Sequence, residues 1–423
     1  MPLKRNKKNN NFIVGLDVGT TKICAIVADV FPDHISIQNI KTKPSMGLRK
    51  GIVVDIDAAS ESIRNVISEI SKQGGREISR AIVGIAGSHI KSFNGYGAIG
   101  IKRNPISFED IERAIELASA AYVPLDREKI HVIPYDFIID GQRGIKDPVG
   151  MHGSRLEVLV HIITGAITAI QNLLLCCERA GLEVSDIVLQ PIASSEATLT
   201  EMERMEGTVL VDIGGGTTDI AIYKDGWLKH TSILGIGGNH FTNDLSVGLN
   251  IPFHEAEDIK KKVGFAITDN KKGLISINKK NITLEQIKEI LEPRAEELLD
   301  LIKTEVNNVY KSGISVSGAV LTGGASLLEG FERLAESILS MPVRIGYPIA
   351  FKDYSDKNQE GITSSFRIIG LIEEYNNPMY STGIGLVLCG MEHILSLEVR
   401  SGNSENLFDT IIDKMKEWFK RLV

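Results

Sequence analysis

Phe12-Ile13-Val14-Gly15-Leu16-Asp17-Val18-Gly19-Thr20-Thr21-Lys22-Ile23 returns, about 200 residues later, as Val209-Leu210-Val211-Asp212-Ile213-Gly214-Gly215-Gly216-Thr217-Thr218-Asp219-Ile220. Each copy is an apolar run of strand length, an aspartate, a Gly/Thr turn, and a second apolar strand. A tight hairpin alone explains one copy. Two copies predict two similarly built lobes. A carboxylate at the end of a buried strand is costly without a cation or donors, so Asp17 and Asp212 mark a ligand. The turns Gly19-Thr20-Thr21 and Gly214-Gly215-Gly216-Thr217-Thr218 supply close backbone N–H groups and hydroxyls, the inventory a phosphate needs. Lys22 is placed to reach it. Asp17 and Asp212 suit Mg²⁺ held through water.

A third element, Ala319-Val320-Leu321-Thr322-Gly323-Gly324-Ala325-Ser326, is a strand followed by a double-glycine turn. Ser326 with Glu329 reads as the capping box of a helix running to Leu339. With this turn added, the three loops point to a nucleotide. No GxxxxGK[ST] loop is present, and Gly235-Ile236-Gly237-Gly238 lacks dinucleotide-fold spacing. Helices are expected over 57–73, 108–121, 167–181 and 284–310, with Pro293 kinking the last or starting a new one.

Net charge is −7, and Lys4, Arg5, Lys7 and Lys8 make a basic arm of residues 1–11, so the remaining body is more acidic still. Such a body is a poor nucleic-acid binder. The four cysteines show no CxxC spacing and the nine histidines no HxxxH pair, which fits a reduced, cytoplasmic chain without a transition-metal site. The basic start is not followed by an apolar core long enough for a secretory signal. The longest apolar stretch, 158–170, is too short and too polar to span a bilayer.

With these turns the chain resembles the actin, sugar-kinase and heat-shock-chaperone ATPase superfamily. Within it the chain is most similar to the bacterial cell-division family FtsA, through Gly51 to Asp57, His131-Val132-Ile133-Pro134, Asp140 to His161 and Ala256-Glu257-Asp258-Ile259-Lys260. The resemblance implies a two-lobed actin-like α/β fold with an FtsA-type inserted subdomain. The division expected is 12–83 with 165–206 as the first lobe, 84–164 as its insertion, 207–227 with 311–399 as the second lobe, and 228–310 as a helix-rich insertion. It implies ATP and Mg²⁺ in the cleft, with Asp219, Gly237, Gly238, Gly323, Gly324, Ala325 and Ser326 among the contacts. Glu257, Lys260 and Lys261 would line the ribose and purine. Their spacing places them on one helix face, which a solvated salt-bridged face explains equally. Gln190 falls where the superfamily positions its attacking water. An amide orients water but takes no proton, so at most slow ATP hydrolysis is expected.

After a linker at 400–406, Leu407, Phe408, Ile411, Ile412, Met415, Trp418, Phe419 and Leu422 recur at helical spacing, with Lys420 and Arg421 at the tip. This is an amphipathic helix, either docked on the protein's own core or lying flat in a membrane interface. The family ends in such a tether, which implies a peripheral protein on the cytoplasmic face at the division site. The family also implies binding of the FtsZ C-terminal peptide through the second insertion. Arg294 is the candidate contact there, though an exposed helix arginine is the plain alternative. Self-assembly and contacts to other division proteins are implied as well. A small-molecule kinase, a chaperone ATPase or a pilus-assembly scaffold of the same superfamily are the rival readings.

Overall fold

The computed structural model describes residues 12–31, 34–102, 105–120, 122–264, 274–277, 280–349, 351–355 and 363–399. The basic arm, the linker and the amphipathic tail expected from the sequence lie outside these residues.

The hairpin Phe12–Val18 and Lys22–Val30 is the centre of the first sheet, with Asp17 opposite Cys24. Its side chains alternate between two cores. Val14, Leu16, Ile23, Ala25 and Val27 pack toward the helix Ile56–Gly74, while Ile13, Cys24, Ile26 and Ala28 pack toward the helix Ser381–Val399. Both faces are covered, so the strands read as near-continuous apolar runs. The helix Ile56–Gly74 begins where the Asp55 side chain accepts the Ala58 N–H, and it stops at Gly75 in the left-handed region.

The sheet order from this hairpin is Glu183–Leu189, Arg80–Ile85, Phe12–Val18, Lys22–Val30 and His34–Pro44. The second lobe repeats it as Val343–Ile345, Gly318–Thr322, Thr208–Ile213, Thr218–Lys224 and Trp227–Leu234. In both lobes the first three strands in chain order are antiparallel and the next two run parallel to the first. The duplication read from the two motifs therefore extends to whole sheets.

Four expectations are corrected. Residues 351–399 do not stay with the second lobe. Phe351–Ser355 and Thr363–Ile369 extend the first sheet beyond His34–Pro44, and Ser381–Val399 packs on the first lobe. That helix is drawn in because Gly15, Gly383 and Gly385 let backbones meet. A Cβ on Gly15 would lie 2.8 Å from the Gly383 carbonyl oxygen. The second insertion begins after the strand Trp227–Leu234, which is the third strand of the second-lobe sheet, not at 228. Pro293 does not start a new helix, since Leu284–Lys311 is continuous. Burial of Ile287, Leu291, Ala295, Leu298 and Ile302 along one face outweighs the lost hydrogen bond. Ser326 does not cap a long helix. It lies in a 3₁₀ turn, Gly324–Leu327, its hydroxyl donating to Gly323 at 2.7 Å, and the α-helix Phe331–Leu339 starts after Gly330.

The first insertion is an antiparallel sheet ordered Lys91–Gly100, Arg155–Ala166, Arg127–Ile139, Gln142–Ile145, with the helix Phe108–Ser119 on one face. Trp227, from the second lobe, is buried in that subdomain's core and meets Phe137 edge-on.

Candidate functional site

The two repeated turns face one another across the lobes. A Cβ on Gly215 would lie 2.9 Å from Cβ of Thr21, and one on Gly216 would lie 2.9 Å from Cβ of Thr20. Glycine is required at both positions because the opposing threonines already fill the space. Behind Thr20, its hydroxyl accepts the Gly51 N–H at 3.0 Å.

The carboxylates gather beneath these turns. Asp17 is buried and accepts from Lys22 at 3.1 Å on one oxygen and from the Gln190 amide at 3.1 Å on the other. Burial opposes the Lys22 charge, but Asp17 outweighs it and the ammonium stays above its ordinary pKa. Asp212 is buried in the facing lobe. Burial raises its pKa against hydroxyl donors from Ser194 and Thr382, the latter at 3.0 Å. Asp219 lies beside Asp212 in the hairpin register, and burial next to Asp212 and Asp17 lifts it well above the usual carboxylate range. One Asp219 oxygen is buried without a hydrogen-bond partner. Three acidic side chains with a single lysine among them, and one oxygen orphaned, are an incomplete charge set that a cation would complete. Among the described residues no three His, Cys, Asp or Glu side chains converge as a ready-made cage. That donor set fits Mg²⁺, which keeps several waters and binds through one or two carboxylates plus phosphate oxygens.

The other glycine turns close on the second jaw. The helix Gly238–Leu249 starts against it, with the Gly238 N–H donating to the Gly214 carbonyl and the Asn239 N–H to that of Gly215, both at 2.8 Å. A Cβ on Gly237 would lie 2.7 Å from the Gly214 oxygen, and one on Gly238 would lie 3.3 Å from the Ala325 Cβ. Gly323 has φ +83 and no room for a side chain beside Ile213 and Asp212. Lys260 reaches into this group, donating to the Gly238 carbonyl at 3.0 Å and to the Thr242 hydroxyl at 2.8 Å, and pairing with Glu257 at 2.6 Å. Burial lowers the Lys260 pKa despite Glu257. Burial pushes Glu257 up, but Lys260 and Thr242 outweigh it and hold the carboxyl low. Lys261 is mostly exposed, 3.3 Å from Glu257. Gly324 is open, nearest to Met379.

The sequence-predicted residues Asp17 to Lys22, Gln190, Asp212 to Asp219, Gly237, Gly238, Glu257, Lys260 and Gly323 to Ser326 thus form one constellation between the lobes. Arg294 is elsewhere, on the second insertion, paired with Asp244 at 2.7 Å and with Glu297. Sequence reasoning missed Ser194 and Thr382. The one available signal was the glycine spacing of Gly383 and Gly385 directly after Thr382, which announces a close backbone approach.

A family model described as cell division protein FtsA matches residues 209–385, and one for the SHS2 domain inserted in FtsA matches 87–164. The cell division protein FtsA of Pseudomonas aeruginosa is 37% identical over 97% of this chain and 98% of its own. The chain belongs to the FtsA family of cell-division proteins. The four-stranded insertion is accordingly the SHS2 domain that interrupts FtsA, and the whole is an actin-like α/β fold. Solved structures agree on that fold. A PilM-PilN type IV pilus biogenesis complex superposes with a TM-score of 0.65 at 16% identity, over 90% of this chain and 98% of that one. Spiroplasma citri MreB5 bound to AMPPNP gives 0.54 at 15%, over 92% and 98%. At such identities the likeness concerns architecture alone, and the pilus-scaffold alternative gains nothing from it. Among the described residues, no helix is long and apolar enough to cross a membrane.

Proposed function

We propose that this FtsA-family chain binds ATP with Mg²⁺ between its lobes and tethers FtsZ filaments to the cytoplasmic membrane while assembling with copies of itself. The observation that carries the nucleotide part is the contact of the two Gly/Thr turns over the Asp17, Asp212 and Asp219 cluster. Bound Mg²⁺ would supply the positive charge that the phosphates and these carboxylates lack. The chain's own groups do the rest. Asp17 and Asp212 would hold the ion, the turns 19–21 and 214–218 offer N–H groups and hydroxyls, and Lys22 adds a fixed charge. Glu257 and Lys260 brace the turn at Gly238 on which the nucleoside end would rest. The Gln190 amide orients a water but accepts no proton, so turnover is slow and the nucleotide serves assembly.

Family membership supports the FtsZ peptide, self-assembly and other division proteins as partners. Arg294 would contact the acidic peptide after exchanging a carboxylate of its own helices for one of the peptide. The tail pattern from Leu407 to Leu422, with Lys420 and Arg421, supports a peripheral anchor. Asp212→Ala is expected to abolish MgATP binding by calorimetry, and retained affinity contradicts the cleft reading. Trp418→Glu is expected to release the full chain from anionic liposomes, and unchanged co-sedimentation counts against the anchor.

A further inference from the structure

The second-lobe carboxylate Asp212 is not held by its own lobe. Both of its hydrogen-bond donors come from the first. Ser194 projects from the helix Gln190–Thr198, and Thr382 from the second position of the helix Ser381–Val399. Their hydroxyls converge on the same oxygen, Oδ2, and lie 3.0 Å from each other. Ser194 is fully buried and Thr382 nearly so. The other oxygen, Oδ1, faces the Gly323 turn, where a Cβ would crowd it. The neighbouring Ser381 makes a parallel link, 2.8 Å from the Thr322 hydroxyl at the end of the next second-lobe strand. A hydroxyl has one proton. With both given to Oδ2, neither is left for the other hydroxyl, and the carboxylate oxygen is held from two directions.

We propose that Ser194 and Thr382 are positioning residues that fix the rotation of the Asp212 carboxylate, and thereby its hold on the hydrated cation, from the opposite lobe. The proposal rests on the nucleotide reading above. A water-mediated metal contact is directional, because the water must meet both the ion and a carboxylate lone pair. Losing one donor leaves Oδ2 held by a single hydroxyl, which gives the carboxylate more freedom to turn. Metal-free nucleotide does not use this contact, so its affinity is the internal control.

The test measures ATP affinity of the full chain in excess Mg²⁺ and in excess EDTA, for the wild type, Ser194→Ala, Thr382→Val and Thr382→Ser. Ser194→Ala and Thr382→Val are each expected to lower the Mg²⁺-dependent gain in affinity by about tenfold, the scale of one buried hydrogen bond to a charged group, with the EDTA affinity unchanged. Thr382→Ser keeps the hydroxyl and is expected to retain the wild-type gain. Equal losses with and without Mg²⁺ indicate a merely structural role and overturn the proposal, as does Thr382→Ser behaving like Thr382→Val. Absence of MgATP binding by the wild type sinks the nucleotide reading itself, an outcome distinct from both.

Discussion

At the residue scale, the chemistry of this chain is that of charged and polar groups kept from water. His161 shows the effect away from the cleft. It is buried between the inserted subdomain and the second lobe, with one ring nitrogen 2.7 Å from Asn94 Oδ1 and the other 2.9 Å from the Thr231 hydroxyl. Burial, with His230 nearby, pushes its pKa down to about 3. A histidine depressed in the folded state contributes stability fully above its unfolded pKa of roughly 6.5 and loses it as pH falls from there toward 3. Melting temperature is therefore expected to drop on acidification below 6.5, and His161→Gln should show a shallower drop. Parallel pH profiles of the two proteins check this. Asp17, Asp212 and Lys22 were legible as site residues because an ionisable group in an apolar strand or beside a glycine turn has few other uses. Ser194 and Thr382 were not, since serine and threonine are ordinary residues in short helices and helix first turns and only tertiary contact shows what they face.

At the scale of elements, the strand, turn and helix grammar was readable wherever local pattern and packing agree. The helix Leu284–Lys311 is the instructive failure. Pro293 signals a kink or a new start, yet no new helix starts there: a face from Ile287 through Val309 is buried against the second-lobe core, and packing overrides the local cost. The residual cost remains. Restoring the missing N–H with Pro293→Ala is expected to stabilise the chain by about 1–3 kcal/mol, given roughly 3 kcal/mol for proline in a helix interior. Urea titration of both proteins measures it, and a loss of stability would mean that the surroundings have adapted to the ring. The short turn Gly324–Leu327 misled in the opposite direction. Its Ser326 and Glu329 match a capping box, but Gly323 at φ +83 and Gly330 at φ +87 reset the chain twice within eight residues.

For the whole molecule, the duplication was visible in sequence and the return of the chain was not. Strand Thr363–Ile369 joins the first sheet at an edge more than 300 positions away in the chain, parallel to His34–Pro44, and Phe351–Ser355 pairs antiparallel on its far side. No local pattern specifies such a pairing. The jaws are the other property of the whole. Because Thr21 already fills the space above Gly215, Gly215→Ala is expected to force the lobes apart, at about 1–3 kcal/mol of stability, the usual cost of overpacking. MgATP affinity should fall with it. Removing the opposing side chain in a Gly215→Ala, Thr21→Gly double variant should recover part of both losses. A double-mutant cycle on melting and binding reads the coupling, and simple additivity would show that the turns do not touch.

Among the described residues the chain starts in the first lobe and, after visiting the second, returns to the first with the helix Ser381–Val399. A pull on residues beyond 399 is thus borne by the same half that carries the SHS2 insertion. The half bearing Arg294 is suspended from it like a gondola, with Ser194, Ser381 and Thr382 among the rivets.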